Sequence, residues 1–181
     1  MNFQFNHSTQ REQDMAYQNE AKETHDIITV AFGEATTFVH PQAGCDHVFL
    51  AMLQSPYAST RLVLRHYENR LDEARIIVRR LTAPWIFKKT IRNGARVEKL
   101  LTATAEFVRV RGAAVLVAHE TGGPDVECGA SHLLEAMLLE VQRADQTGHP
   151  TNLLMLLNEL QIDYRALLAS VEAVNRSMVK N

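Results

Sequence analysis

A ten-residue segment occurs twice in this chain, and the repetition restricts the fold more than any other feature. Gly44-Cys45-Asp46-His47-Val48-Phe49-Leu50-Ala51-Met52-Leu53 returns as Gly129-Ala130-Ser131-His132-Leu133-Leu134-Glu135-Ala136-Met137-Leu138, with the glycine, histidine, alanine, methionine and last leucine identical. The two histidines lie 85 residues apart (132 − 47). Self-similarity at a fixed offset means one structural unit used twice. Two copies predict a pair of packed, pseudo-symmetric halves rather than a solenoid.

Each copy reads as a turn followed by a short buried helix. Gly44 and Gly129 suit a chain reversal at positive φ. Asp46 and Ser131 fit the N-cap position ahead of the apolar run. The residues that follow leave almost no polar face, as expected of a central helix covered on most sides. His47 and His132 are repeated, which suits catalytic or metal-binding residues. Their surroundings favour core histidines hydrogen-bonded to backbone, because buried polar groups need partners.

Apolar residues at three- and four-residue steps extend helices to either side of both motifs. Ala21, Ile27, Ile28, Ala31 and Ala35 predict a helix from about Tyr17, closed by His40-Pro41-Gln42-Ala43-Gly44. Ser55-Pro56 predicts a cap with proline at the first helical position of a third helix. Leu71, Ala74, Ile77, Val78 and Leu81 mark a fourth. In the second half, Val97 to Ala118 predicts one long helix interrupted by Gly112 and ended by Gly122-Gly123-Pro124-Asp125. After the second motif come a polar loop over 142–151, a helix over 153–160, and a last helix capped by Asp163 that frays after about Ala173. Ile162 is placed to pack on Leu167 as a hydrophobic staple. No segment alternates with period two. The expected architecture is all-α: a flexible arm over 1–16, a four-helix repeat over 17–82, a linker over 83–95, a second repeat over 96–175 and a tail over 176–181.

The linker carries Trp85, Phe87 and Lys88 in a basic flank. Trp85 and Phe87 either plug the seam between halves or line a peptide groove there, since aromatic anchors dominate recognition surfaces. The basic flank reads as a solvated linker or as a local anion-attracting patch. Hydrophobic content of 46%, charged content of 22% and a net charge of −2 describe an ordinary globular chain. They supply no global basic field for nucleic acid. Without a long apolar run or signal core, no membrane segment is expected and the cytoplasm is the expected location. Cys45 and Cys128 are then reduced thiols in preference to a disulfide. Neither has a companion at zinc-ligand spacing, and no G-x-S-x-G elbow occurs.

The duplicated motif and the four-helix plan together resemble the double Clp N-terminal domain, the substrate-receiving module in front of ClpC/ClpA-type AAA+ unfoldases. The family shows A-x-x-E-A, a glycine turn, G-T-E-H-L-L-L-A-L-L, then a leucine helix with a G-[VI]-D break, twice over. Ala31, Glu34 and Ala35 match the first element. Gly44, Asp46, His47, Leu50, Ala51 and Leu53 match the second, as do Gly129, His132, Leu133, Leu134, Ala136 and Leu138 in the second copy. Leu156 to Asp163 resemble the closing element. In the ClpC branch the glutamate before the histidine helps hold phosphoarginine, a degradation mark. Here that place is Asp46 in one copy and Ser131 in the other. Asp46 keeps a carboxylate and Ser131 has none, so at most one such site is expected.

No G-x-x-x-x-G-K-[ST] loop occurs, so no ATP site of that kind is expected. The resemblance implies a free-standing, non-enzymatic binding module without ATPase, metal or cofactor. Its partners would be unfolded or tagged protein segments, an adaptor, or the Clp unfoldase itself. The alternative is a small-ligand-binding or enzymatic helical protein that shares only the helix plan.

Overall fold

The computed structural model describes residues 20–82 and 102–178, so Trp85, Phe87, Lys88 and the expected arm lie outside the described residues. Among the described residues there are eight α-helices and a single two-residue strand pair. The first four helices are α1 (Lys22–Thr37), α2 (Cys45–Leu53), α3 (Ala58–Leu64) and α4 (Leu71–Thr82); a short 3-10 turn, Glu68–Arg70, precedes α4. The last four are α5 (Ala105–Gly122), α6 (Ala130–Thr147), α7 (Asn152–Glu159) and α8 (Tyr164–Met178).

The two motifs form the centres of α2 and α6. Every residue from Cys45 to Leu53 is buried, and so is every residue from Ala130 to Leu138. That burial on all sides matches a helix with no polar face. The two helices nonetheless differ in length. α2 stops at Leu53, ahead of Ser55-Pro56. α6 runs on through the polar stretch that composition marks as a loop. Val141 and Ala144 continue its buried stripe, Glu140 pairs with Arg143 across one turn, and Gly148 ends it at φ 70. A left-handed cap of that kind is where glycine is favoured.

Other boundaries also move for local reasons. The Ser55 hydroxyl accepts from the Tyr57 N–H, so Pro56 precedes α3 instead of opening it. α5 begins at Ala105 because Thr104 caps it through the Phe107 N–H, while Thr102–Ala103 are extended. Gly112 lies inside the continuous α5. Asp163 accepts from the Arg165 N–H at 2.9 Å at the start of α8, which continues to Met178.

The packing crosses between the two groups of four. α2 lies against α7 and α3 against α6, while α3 meets α8 and α4 meets α7. Salt bridges join Arg80 to Glu159 and Arg111 to Glu20. The extended segments cross as well. β1 (Gln42–Ala43) pairs in parallel with β2 (Thr102–Ala103), and the Thr104 N–H donates to the Ala43 carbonyl at 2.9 Å. A parallel bridge links Glu20 to Cys128, and the Ala21 N–H donates to the Cys128 carbonyl at 3.2 Å. In both places, the chain just before a motif helix pairs with the chain just before the opposite group's first helix. Strands of two residues or fewer have no periodicity to detect, which is why the sequence reads as free of strand.

Candidate functional site

The duplicated glycine and histidine form the same backbone clasp in both motifs. The Gly44 N–H donates to His47 Nδ1 at 3.1 Å, and the Gly129 N–H donates to His132 Nδ1 at 3.1 Å. Each ring thus takes up one of the N–H groups that a helix start leaves unpaired. The N-caps are Gly44 and Gly129; Asp46 and Ser131 sit two residues further on, inside the first turn. This corrects the expectation that they are N-caps. The glycines are not needed for positive φ either, being at −117° and −78°. A side chain at either place would crowd a neighbouring carboxylate. A Cβ on Gly44 would come within 2.6 Å of Asp46 Oδ1, and one on Gly129 within 2.8 Å of Glu23 Oε1.

Around the first clasp three titratable groups converge. His47 Nδ1 also lies 2.9 Å from Asp46 Oδ1, and His47 Nε2 lies 2.7 Å from His40 Nδ1. His40 comes from the loop after α1, a neighbour that motif inspection does not supply. All three are buried: Asp46 at 2%, His47 at 1% and His40 at 9% exposure. Burial, followed by the neighbouring His47, pushes His40 down to about 4. His40 Nδ1 and His47 Nε2 share a single proton between them. At Nδ1, His47 faces both a donor, Gly44 N–H, and an acceptor, Asp46. One nitrogen satisfies only one of them at a time. Burial raises the Asp46 carboxyl, but the hydrogen bond and charge of His47 outweigh it and leave it below its ordinary value.

The second clasp is simpler. His132 Nε2 reaches the Thr121 hydroxyl at 3.3 Å, and burial lowers the His132 pKa. Ser131 is 1% exposed and its hydroxyl has no hydrogen-bond partner among the described residues. The carboxylate that Ser131 cannot supply arrives from α1. Glu23 Oε1 accepts the Ala130 N–H at 2.8 Å and both Glu23 oxygens accept from the Ser59 hydroxyl. An anion at a helix start is favoured by the dipole and the free N–H groups. Glu106 plays the opposite part at the first motif, where its charge acts on the Cys45 thiol. Burial and then the Asp46 charge push the Glu106 carboxyl up, and burial raises Cys45 well above the usual thiol range. Both cysteines are buried and unbridged.

Asp46 and Ser131 are therefore brought to equivalent interior positions, with neither presented to solvent. His40, from the loop just ahead of the first motif, and Glu23 and Glu106, from distant segments, complete these positions. The sequence offers little to find them by: Glu23 and Glu106 each fall in the first turn of a first helix, a place acids occupy for many reasons. No group of three His, Cys, Asp or Glu among the described residues is arranged to hold a metal ion. No described helix is long and apolar enough to cross a membrane. No protein-family model matches the chain, and no curated protein matches it.

Proposed function

We propose that this chain is a non-enzymatic protein-binding module of the double Clp N-terminal domain type, built from two four-helix repeats related by a pseudo-twofold axis. It receives unfolded or tagged segments, or docks an adaptor or the Clp unfoldase, in the cytoplasm and without ATP, metal or cofactor. The observation that carries this reading is the paired clasp. Two Gly–His contacts of equal length, each beside a parallel pairing to the opposite group of helices, are what a duplicated unit folded on itself would give. The crossed packing of α2 on α7 and α3 on α6 supports the same relation.

The test is a titration of the purified chain with fluorescently labelled, reduced and carboxymethylated α-lactalbumin, followed by anisotropy without nucleotide. Saturable binding that native α-lactalbumin does not share is the expected result. No binding of the unfolded protein removes the reading. A second reading, small-ligand binding or catalysis, draws on the buried line Asp46–His47–His40. These groups already bond one another, which favours a structural role. Retention of unfolded-protein binding in His40→Gln would separate the two readings.

A further inference from the structure

A surface groove of about 310 Å³ runs between α5 and α6. Its floor is the buried Val110 and Ala136, and Leu139, 38% exposed, stands at its rim. Arg109 from α5 and Arg143 from α6 flank it, and both guanidiniums bond the same oxygen, Glu140 Oε1, at 3.3 and 2.5 Å. The Arg143 hydrogen bond, opposed by burial, holds Glu140 below the usual carboxylate range, so Glu140 is ionised. Its side chain is 15% exposed, whereas those of Arg109 and Arg143 are 59% and 63% exposed. One half-hidden carboxylate thus serves two outward guanidiniums, each with five N–H donors. Glu106, one turn before Arg109, acts on both guanidiniums by its charge alone, and burial raises its carboxyl. On the first helix of the other group the chemistry is reversed: Asp26 of α1 carries the acid and is bonded by the Tyr57 hydroxyl.

We infer that this groove takes an acidic–apolar protein segment, a deepening of the protein-binding reading on which it rests. A leucine-sized side chain lies over Val110 and Ala136 beside Leu139. An adjacent carboxylate of the segment bonds the outward N–H groups of Arg109 and Arg143. Guanidinium–carboxylate pairs give both strength and geometry, and the apolar floor supplies contact that a free anion would not use. Selectivity then needs both parts of the segment together.

The probe is a fluorescein-labelled peptide of three Asp-Leu-Ser repeats, compared with Asn-Leu-Ser and Asp-Ser-Ser counterparts. Anisotropy is measured with the full chain, with Arg109→Gln/Arg143→Gln, and with Arg61→Gln/Arg65→Gln. The last pair lies at a separate patch around Leu62 and removes the same charge. Loss of a charged partner predicts binding weaker by about tenfold or more in the Arg109/Arg143 variant. The Arg61/Arg65 variant and the native chain should agree within about twofold, and both altered peptides should bind about tenfold more weakly. Equal binding of the Asn peptide, or equal loss in both variants, overturns the groove assignment. If unfolded α-lactalbumin binds and the Asp-Leu-Ser peptide does not, the groove fails and the wider reading stands; if neither binds, both fail. Matching circular dichroism and thermal midpoints across the variants establish that a loss reflects the contact and not unfolding.

Discussion

At the first clasp His47 touches a carboxylate and a second histidine; at the second, His132 reaches the Thr121 hydroxyl beyond its glycine. The backbone contact is the same 3.1 Å in both. What has diverged is where each motif helix keeps its acid. α2 buries Asp46 at its start and Leu50 in its middle. α6 has Ser131 at its start and Glu135 in its middle, where Asn175 of α8 donates to it at 2.6 Å. Burial raises the Glu135 carboxyl, whereas Asp46 is lowered by His47. A helix start can hold an ionised acid because N–H groups and a histidine face it; a helix middle cannot, since its own N–H groups are already used. The clasp is the part common to both motifs, and the charge around it is the part free to change.

The largest expected contrast comes from removing each ring. His47→Ala strips Asp46 of its partner inside the core and should cost about 3–5 kcal/mol. His132→Ala leaves the Gly129 N–H and the Thr121 hydroxyl unmatched, at about 1–3 kcal/mol. Urea unfolding of both variants measures this, and equal losses would break the distinction between the two clasps.

Acid sharpens the comparison. His40 has a folded pKa of about 4, below the ordinary histidine value of 6.5, so the unfolded chain binds that proton more readily. Its contribution is complete above pH 6.5 and is lost as pH falls from there towards 4. The loss should be on the order of 1–3 kcal/mol. His132 is lowered in the same direction and adds to the fall. In His40→Gln the slope between pH 6.5 and 4 should lose the His40 part and keep those of His132 and the shifted carboxyls; an unchanged slope would assign the transition elsewhere.

The exchanged acids should respond with opposite signs. Glu23→Gln removes the anion at the start of α6 and should cost about 0.5–1 kcal/mol. Glu106→Gln removes a carboxyl raised by burial and by Asp46, and should stabilise by up to about 1 kcal/mol at neutral pH. That gain should vanish as pH falls, when the native Glu106 protonates. Smallest of all, Ser131→Ala removes a hydroxyl without a partner among the described residues and should move stability by no more than about 0.5 kcal/mol. Thermal melts at two pH values test all three, and a large loss in Ser131→Ala would mean that its hydroxyl has a role in the clasp.

How much of this was legible follows from the range of each interaction. The motif helices, the end of α5 at Gly122 and the Asp163 cap depend on neighbours within a turn or two. Periodicity and capping chemistry report those directly. α6 outran its expected end because Val141 and Ala144 are only two apolar residues among polar ones, a stripe too thin to outweigh composition. Glu23 at Ala130 and Glu106 at Cys45 are tertiary facts. Glu23 bridges 107 residues to Ala130, and no local pattern encodes such a meeting. The same holds for Asp46 and Ser131: their positions before the histidines were plain, but the sequence did not reveal that both face inward.

The crossed strand pairs have a consequence for synthesis. Residues 42–43, ahead of α2, find their pairing partner only in residues 102–103. During translation the first four helices therefore leave the ribosome with an open edge ahead of their motif. The reciprocal bridge from Glu20 waits longer still, until Cys128 has been made. Such distant contacts close slowly, because the intervening chain must be ordered before they form. A nascent chain arrested soon after α4 should thus be more open to protease than the finished protein, and the seam should close last.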